Sequence, residues 1–335
     1  MKTRDVYITG VSFLTPLGYG KEQTLYMLRK GESGLRVQKL NDDQEPCLVG
    51  QLPEVEFDQF IHWKEPFKPT PYSQKFILGC LGAIDDAGLQ PDDIVDAGCI
   101  METELGPSES VDDYLRLLLT MKRGIISPMK FTYTVSNTAL GDASRYFQLK
   151  GPSSILLTES SVSYSYDLIR QGDADIVMCC AIDMLTDEVI RYKRHRGELY
   201  TSEQDIQKRA SDLTDSYGAW SSGCCAVVLE SGESVKKRNV RKYAQLADCI
   251  EHPTSFSPNI PVEEDTLRVN CLKSFTGDMF YASTLFGLAA NSMALYNGEI
   301  YETGKAGRAT DSRSMMINSL RDGSMNTKFI IKKTI

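Results

Sequence analysis

Several features that define common protein classes are absent from this chain of 335 residues. No run approaches the roughly 20 consecutive apolar residues that a membrane-spanning helix needs, and the sequence contains neither a low-complexity segment nor a short repeat. Positive charge is scarce: 37 lysines and arginines stand against 45 acidic residues, for a net charge of −8, which argues against a nucleic-acid-binding protein. The N-terminal residues lead directly into an apolar strand and leave no room for a signal peptide. We therefore expect a cytoplasmic protein.

The nine cysteines lack the spacing of a disulfide framework or a metal site. Their number is odd, two pairs are adjacent, and no CxxC occurs, so neither a set of disulfides nor a zinc site is indicated. Free cysteine behaves as a small hydrophobic residue, and we expect most of these residues to be buried. Neither a metal nor a cofactor is predicted.

The chain consists instead of apolar strands and amphipathic helices in alternation. Periodicity and turn residues predict strands at 6–11, 153–157, 176–181, 226–230, 243–249, 269–272, 314–319 and 327–333, and helices over about 21–30, 71–87, 111–122, 159–171 and 279–297. The strand, helix and strand over 153–181 have the spacing of a βαβ crossover, which predicts a parallel sheet covered on both faces. Because the second half repeats the outline of the first, we predict an α/β fold of two related halves.

Two of the helices have patterns that predict how they are buried. The helix over 279–297 is so rich in small and apolar residues that few polar faces remain, and it is expected to lie in the core. The helix over 111–122 is expected to turn its apolar side inward, with Leu115, Leu118 and Leu119 facing the core.

Three segments are predicted to lie outside the regular core. Residues 185–215 are highly charged and are expected to form an exposed excursion. Lys236–Arg238 are predicted to lie in a basic loop. Asp322 and Gly323, between the last two strands, form a typical hairpin signal.

A series of short blocks follows a fixed order along the chain. The blocks are Val6–Gly10 (VYITG) with Thr15–Gly18 (TPLG), Ala87–Pro91 (AGLQP), Ser127–Asn137, Gly151–Ser161 (GPSSILLTESS), Ile169–Asp175 (IRQGDAD), Asp212–Glu230 and Lys273–Asp278 (KSFTGD). In this order and spacing they resemble the β-ketoacyl synthase family. The resemblance implies a thiolase-like fold of two related βαβ halves, layered α/β/α/β/α. It divides the chain into an N-terminal half over 1–235 and a shortened C-terminal half over 236–335.

The blocks that would carry catalytic residues depart from the pattern of this family. Its members are expected to use a cysteine, two histidines and a nearby lysine to act as β-ketoacyl-ACP synthases. Here Ser160 stands in place of the cysteine, Asp278 replaces one histidine, and Lys273 keeps the lysine. The block of the other histidine has no counterpart, because the chain between Cys249 and Lys273 is too short, and the second half is therefore predicted to be truncated. A serine hydroxyl needs an adjacent base where a low-pKa thiolate does not, so we expect no catalytic residues and no condensing activity.

The resemblance then implies a non-catalytic subunit that works with a partner. Chain-length factors are inactive partners of catalytic ketosynthases in type II polyketide systems, including those that make aryl polyene pigments. We predict a role of this type in fatty acid or polyketide biosynthesis, in a heterodimer with a catalytic ketosynthase. The segment 129–140 resembles the one that crosses toward the partner subunit, with the contact candidates Phe131, Tyr133, Val135 and Thr138. Local packing explains these residue types equally well.

The C-terminal loop differs from the family as well. In place of an aromatic gate over the acyl pocket, the chain has Leu320, Arg321 and Asp322. These residues are candidates for lining an acyl pocket, although we favour a hairpin that has been kept for structure alone.

Two other functions stay open. Ser160 could be the nucleophile of an acyltransferase or hydrolase acting on acyl thioesters, but Glu159 beside it is expected to complement the helix dipole rather than serve as a base. None of the chain's histidines occupies a family position: they are His62, His195 and His252. The second alternative is a homodimeric acyl-binding or scaffold protein.

The distribution of charged residues along the chain bears on partners other than a ketosynthase. An acidic acyl carrier protein could dock on the basic stretches 191–196 and 236–238, although charge runs of this kind are usually solvated surface. We expect no nucleic-acid partner and no membrane partner.

Overall fold

The computed structural model describes residues 4–39, 46–64, 66, 68–120, 127–200, 218–253, 266–270, 272–302, 304–319 and 325–334. Within these ranges the strands are β1 Val6–Thr15, β2 Gly18–Tyr19, β3 Arg36–Lys39, β4 Pro46–Gly50, β5 Gly98–Glu102, β6 Ser153–Leu156, β7 Ile176–Asp183, β8 Trp220–Ser221, β9 Gly223–Ser231, β10 Ala244–Pro253, β11 Leu267–Asn270, β12 Glu299–Glu302, β13 Lys305–Ala309, β14 Ser314–Ser319 and β15 Met325–Lys332. The α-helices are α1 Lys21–Lys30, α2 Pro71–Asp86, α3 Pro91–Ile94, α4 Ser108–Thr120, α5 Pro128–Thr132, α6 Thr138–Phe147, α7 Ser161–Gln171, α8 Asp187–His195, α9 Gly232–Arg238, α10 Lys273–Thr276 and α11 Ala282–Asn297.

One ten-stranded sheet runs through the molecule. Its order is β11-β14-β15-β10-β1-β9-β7-β5-β6, with β2 paired to β1. The antiparallel pair of β1 and β10 joins two parts of this sheet. In the first part, β1 is antiparallel to β9, β9 is antiparallel to β7, and β7 is parallel to β5. In the second part, β10 is antiparallel to β15, β15 is antiparallel to β14, and β14 is parallel to β11. This repeated pattern confirms the prediction of two related α/β halves.

The two parts of the sheet differ at their outer edges. In the first part, β6 leads into α7 and is separated from β7 by β5. In the second part, β11 leads through α10 toward α11 and pairs directly with β14. The described residues thus supply five strands to the main path of the first part and four to the second. Truncation of the second half stays a prediction, since residues 254–265 lie outside the described ranges.

Helices α7 and α11 form the layer between the two parts of the sheet. Helix α11 contacts β7 and β9 of the first part as well as β14 and β15 of the second, and α7 contacts both β7 and β10. Every residue of α11 except its last two is buried, because small and apolar side chains surround its whole circumference. Phe286 of this helix meets Phe13 of β1 edge-on, with ring centroids 5.7 Å apart. The prediction that this helix lies in the core is confirmed.

Helix α2 covers the opposite face of the first part of the sheet. Its start follows from the sequence, because Pro71 suits the first turn and the Thr70 hydroxyl accepts a hydrogen bond from the Ser73 N–H at 3.2 Å. Gly10 of β1 allows this helix to lie close to the strand. A Cβ at Gly10 would stand 2.3 Å from the carbonyl oxygen of Ala83, so the glycine of the VYITG block has a packing role.

Helix α4 is oriented differently from our prediction. Leu115, Leu118 and Leu119 do not face the core: they are 49%, 47% and 86% exposed. The helix packs against the short helix α5 rather than against the sheet, so its apolar side has no covering layer within the described chain. A helical periodicity predicts which residues share a face, but it does not tell whether a neighbour covers that face.

The excursion predicted over 185–215 is only partly an exposed segment. Residues 187–195 form helix α8, whose N-terminus is capped by the Thr186 side chain. Leu185, Ile190 and Leu199 are buried in a small cluster with Phe280. Residues 201–217 lie outside the described ranges. The first half of the segment therefore adds a small core of its own.

The predicted basic loop over 236–238 is also wrong, because these residues end helix α9. The Ser231 side chain caps that helix by accepting a hydrogen bond from the Ser234 N–H at 3.1 Å. Arg238 is turned inward, with its Nη1 atom 2.7 Å from Oε1 of the fully buried Glu230. Only Lys236 and Lys237 of this stretch are exposed.

Candidate functional site

Ser160 lies between the end of β6 and the first turn of α7, at the junction of the strand and helix predicted over 153–171. It occupies the N-cap position, but its side chain does not cap the helix. The Ser160 hydroxyl is instead hydrogen-bonded to the hydroxyl of Thr158. Among the described residues, no histidine and no carboxylate hydrogen-bonds to the Ser160 hydroxyl. Within the described ranges, the Ser160 hydroxyl therefore has no side chain beside it that could act as a general base.

Lys273 and Asp278 form an ion pair at the loop that precedes α11. The Lys273 ammonium lies 2.8 Å from Oδ2 of Asp278, and Oδ1 accepts a hydrogen bond from the Phe280 N–H at 2.9 Å. Two non-glycine residues flank this loop in left-handed conformations, Leu272 with φ 57° and Phe280 with φ 55°. The Asp278 carboxylate therefore stabilises a tight turn, and its negative charge is balanced by the ammonium of Lys273.

Glu102, at the end of β5, is buried beside the N-terminus of α7. Its Oε2 atom accepts a hydrogen bond from the Ser161 N–H at 3.0 Å, while its Oε1 atom is buried without a hydrogen-bond partner among the described residues. Burial raises the pKa of Glu102 to about 8, against the effect of the Ser161 hydrogen bond. At neutral pH this carboxyl is therefore mainly protonated.

Glu159 directly precedes the N-cap residue of α7, where it was predicted to complement the helix dipole. Its side chain is buried and accepts a hydrogen bond from the Ser319 hydroxyl at 3.4 Å. Burial raises the pKa of Glu159 to about 7, although the charge of Lys273 opposes the shift. Glu102 lies at the same helix N-terminus, where its carboxyl accepts a hydrogen bond from the Ser161 N–H.

Asp183, the last residue of β7, is a third buried carboxyl of this region. Its Oδ1 atom accepts hydrogen bonds from the Thr103 hydroxyl at 2.8 Å and from the N–H groups of Glu104 and Leu105 at 2.9 and 2.8 Å. Its Oδ2 atom accepts one from the Tyr281 N–H at 3.2 Å. Burial outweighs these bonds and raises the pKa of Asp183 to about 8. The residue ties the ends of β5 and β7 to the start of α11.

Glu102 and Asp183 were missed by the sequence analysis, although the sequence contained a signal for both. They end the parallel strands β5 and β7, and side chains at the carboxyl ends of parallel strands meet at one edge of the sheet. With Glu159 and Asp278, they surround this edge with four carboxyl groups and one lysine. An enolate or an oxyanion is stabilised by hydrogen-bond donors and positive charge, and the one ammonium of this set, that of Lys273, is paired with Asp278.

The predicted partner contacts are distributed between surface and interior. Phe131 and Val135 are exposed, while Tyr133 and Thr138 are partly buried. Thr138 donates a hydrogen bond to the carbonyl oxygen of Thr132 at 2.6 Å, which is local packing. The gate candidates Leu320, Arg321 and Asp322 lie outside the described residues, and so does the hairpin tip that they belong to.

Metal and disulfide sites are not found in the described part of the chain. All described cysteines are free thiols, and each is buried except Cys249, which is partly buried. No group of three potential ligands is placed to hold a metal ion within the described ranges. Among the described helices, none has the length and apolar character needed to cross a membrane.

Comparison with solved structures defines the class of fold. The ishigamide ketosynthase/chain length factor superposes with a TM-score of 0.81 at 19% identity, covering 99% of this chain and all of that one. A beta-ketoacyl synthase from Burkholderia phymatum STM815 gives a TM-score of 0.82 at 16% identity, with the same coverage. A type II PKS ketosynthase in complex with its acyl-carrier protein gives 0.82 at 17%, again with the same coverage. The fold is that of the thiolase-like ketosynthases.

Sequence comparison then identifies the family. A model of the beta-ketoacyl synthase N-terminal domain matches residues 3–234, and the chain therefore belongs to the β-ketoacyl synthase family. It is 24% identical over 297 residues to 3-oxoacyl-[acyl-carrier-protein] synthase 2 of Rhizobium meliloti (strain 1021), covering 81% of this chain and 69% of that protein. The synthase of the same name from Staphylococcus aureus (strain N315) is 22% identical over 258 residues, covering 73% and 62%. The chain thus spans about two thirds of the length of these relatives.

Proposed function

We propose that this chain is a non-catalytic, ketosynthase-like subunit of the chain-length-factor type, which pairs with an active β-ketoacyl-ACP synthase in fatty acid or polyketide biosynthesis. The observation that carries the proposal is the state of the catalytic positions. Ser160 is hydrogen-bonded to Thr158 instead of a base, and Asp278 is bound by Lys273 where the family pattern has a histidine. A nucleophile and its base act as a unit, so replacing both removes the condensing chemistry.

An exposed apolar surface supports pairing with another subunit. We define the α4–α5 face as the exposed large apolar residues of helices α4 and α5 and of the turn after them: Leu115, Leu118, Leu119, Met129, Phe131 and Val135. The two helices are in contact, with the rings of Tyr114 and Phe131 5.8 Å apart. Monomeric proteins rarely expose a large contiguous apolar patch, and such a patch typically marks an interface.

The edge of the main sheet offers a second pairing element. β6 is the outermost strand of the first part, so one side of its backbone has no neighbouring strand within the described chain. The next residue, Leu157, is 61% exposed. Open strand edges are usually covered in stable proteins, and a partner subunit would cover this one.

Docking of an acyl carrier protein on the two basic stretches has weaker support than the pairing. Arg238 already forms an ion pair with the buried Glu230. In helix α8 and the turn after it, Arg191 lies 3.1 Å from Glu188 and Arg196 lies 3.2 Å from Glu198. Because these arginines already face carboxylates of their own chain, less positive charge remains for an acidic partner.

Native mass spectrometry of the chain, co-expressed with a catalytic ketosynthase from the polyketide genes of the same organism, tests the proposal. We expect a one-to-one heterodimer that forms in preference to either homodimer. A homodimer that persists in the presence of every such ketosynthase would contradict the proposal and favour the acyl-binding or scaffold alternative.

The variant Leu119→Asp should weaken that heterodimer by at least about a hundredfold, because it places a charge in the apolar centre of the α4–α5 face. Tyr26→Asp is the matched control. Tyr26 is similarly large and 52% exposed, but it lies on α1, which contacts β1, β2, β12 and β13 instead. Dissociation constants from titration followed by native mass spectrometry give the comparison. Equal affinities for the two variants would place the interface elsewhere.

Intact-mass analysis after incubation with an acyl thioester tests the Ser160 alternative. We expect no acyl adduct on the wild-type chain, because the described residues supply no base to the Ser160 hydroxyl. An adduct that appears on the wild type and disappears in Ser160→Ala would establish an acyltransferase or hydrolase intermediate and overturn the non-catalytic assignment.

A further inference from the structure

A cavity of about 360 Å³ lies on the outer side of the first part of the sheet. Its walls come from α2, from residues 51–55 with Phe57, and from the ends of β1 and β7. Neither α7 nor α11 lines it, and no residue of the Ser160 segment does. Eight of its thirteen lining residues are apolar, with Phe57, Leu78 and Met184 among the larger side chains, while polar atoms supply the larger share of its exposed surface. The size is at the lower end of the range of small-molecule sites, about 300–1,000 Å³.

Lys75, in the second turn of α2, is the one basic residue among those that line this cavity. The side chain is only partly exposed, and among the described residues its ammonium makes neither a hydrogen bond nor an ion pair. Burial lowers the pKa of Lys75, although the charge of Glu109 opposes this. Lysines in proteins are normally solvated or paired, so a half-buried and unpaired ammonium suits an anionic ligand.

The other polar groups of the cavity narrow the choice of ligand. The amide of Gln74 donates to the carbonyl oxygen of Pro69 at 2.8 Å, and that of Gln51 donates to the side chain of Gln38 at 3.3 Å. Both amides are therefore already engaged. Glu54 lines the same cavity and is exposed. One available cation and one nearby acid favour a ligand with a single negative charge over a dianion such as phosphate.

We propose that this cavity binds a small organic monocarboxylate, with its carboxylate held by Lys75 and its apolar body against Leu78, Phe57 and Met184. The site is separate from the family's catalytic positions and from the α4–α5 face. The inference goes beyond the proposed function and does not depend on it, because ligand binding here needs no partner subunit.

Isothermal titration calorimetry at pH 7 with octanoate as the probe tests the site. We expect saturable one-to-one binding to the wild-type chain. Lys75→Met should weaken binding at least about tenfold, as expected for the loss of a charge-assisted hydrogen bond. Lys75→Arg should retain affinity within about threefold, because it keeps the positive charge. Octanol, which has the same length but no charge, should bind at least about tenfold more weakly than octanoate.

Lys273→Met is the control that locates the binding. It removes the lysine of the family's catalytic region and should leave octanoate affinity unchanged. Loss of binding in this variant but not in Lys75→Met would place the ligand near Ser160 and overturn the inference. Equal affinity of the wild type and Lys75→Met, or no saturable binding to the wild type below about 10 mM, would overturn it as well.

Discussion

Arg238→Ala is expected to lower the free energy of unfolding by about 3–5 kcal/mol. The guanidinium lies 2.7 Å from Oε1 of Glu230, a residue with no exposed surface, and it also donates to the carbonyl oxygen of Ala87 at 2.9 Å. Removing it leaves a buried carboxylate with only two neutral donors, the hydroxyls of Thr9 and Ser234. Neutral hydrogen bonds offset little of the cost of burying a charge. Urea titrations followed by circular dichroism measure the change.

Lys237→Ala is the matched control for this prediction. Lys237 belongs to the same helix and the same basic stretch, but its side chain is exposed, and its loss should change stability by less than about 0.5 kcal/mol. The double variant Glu230→Gln with Arg238→Met should recover part of the loss, because it removes both charges of the buried pair. If Arg238→Ala were as stable as Lys237→Ala, the buried pair that the structure places here would be contradicted.

The free energy of unfolding should fall as the pH rises from about 5 to about 8. Burial raises the pKa of Glu102 to about 8, that of Asp183 to about 8 and that of Glu159 to about 7. In the unfolded chain these carboxyls titrate near their ordinary values, 4.5 for glutamate and 3.8 for aspartate. Between the two values the folded protein holds protons that the unfolded chain releases, so a higher pH favours unfolding. Each carboxyl contributes on the order of 1 kcal/mol per pH unit in this window.

Glu102→Gln should flatten this slope by about one third and raise stability at pH 8. The amide oxygen can still accept the hydrogen bond from the Ser161 N–H, while the group that must ionise is gone. Asp311→Asn, at an exposed position, should leave the slope as it is in the wild type. Urea titrations at pH 5, 6.5 and 8 give the slope of stability against pH for the wild type and for each of the two variants. A wild-type stability that rises steadily over this range would mean that the buried carboxyls are ionised in the folded state.

Much of the fold could be predicted from local patterns. The helix starting at Pro71, the strand and helix around Ser160 and the helix over 279–297, rich in small and apolar residues, were placed within a few residues. The first has an N-cap and an apolar face, and the last has small or apolar side chains on all sides; such signals depend on neighbours in sequence. The short strands β2, β3, β4, β5, β8, β12 and β13 were not predicted, since a strand of two to five residues gives only a weak periodic signal.

The environment of the candidate site was less predictable than its position. Ser160, Lys273 and Asp278 were singled out as the degenerate positions, and the structure adds the ion pair of the last two. Glu102 and Asp183 escaped notice because their burial arises only when β5 and β7 align and α11 closes over their ends. Glu159 was predicted to complement the dipole of the helix that follows it, but its burial and its hydrogen bond from Ser319, far away in sequence, could not be predicted.

The sequence by itself determined the alternation of strands and helices and the two related halves, and it led to the expectation that the family's catalytic residues are replaced. These properties follow from residue identity and from the hydrogen-bonding and burial period of a single element. Tertiary structure alone decided that the α4 leucines are exposed, that Arg238 points inward and that three carboxyls are buried at one sheet edge. The physical reason is that burial and charge pairing depend on which distant segments come together. A periodic pattern identifies an apolar face, but only the packed chain establishes what, if anything, covers it.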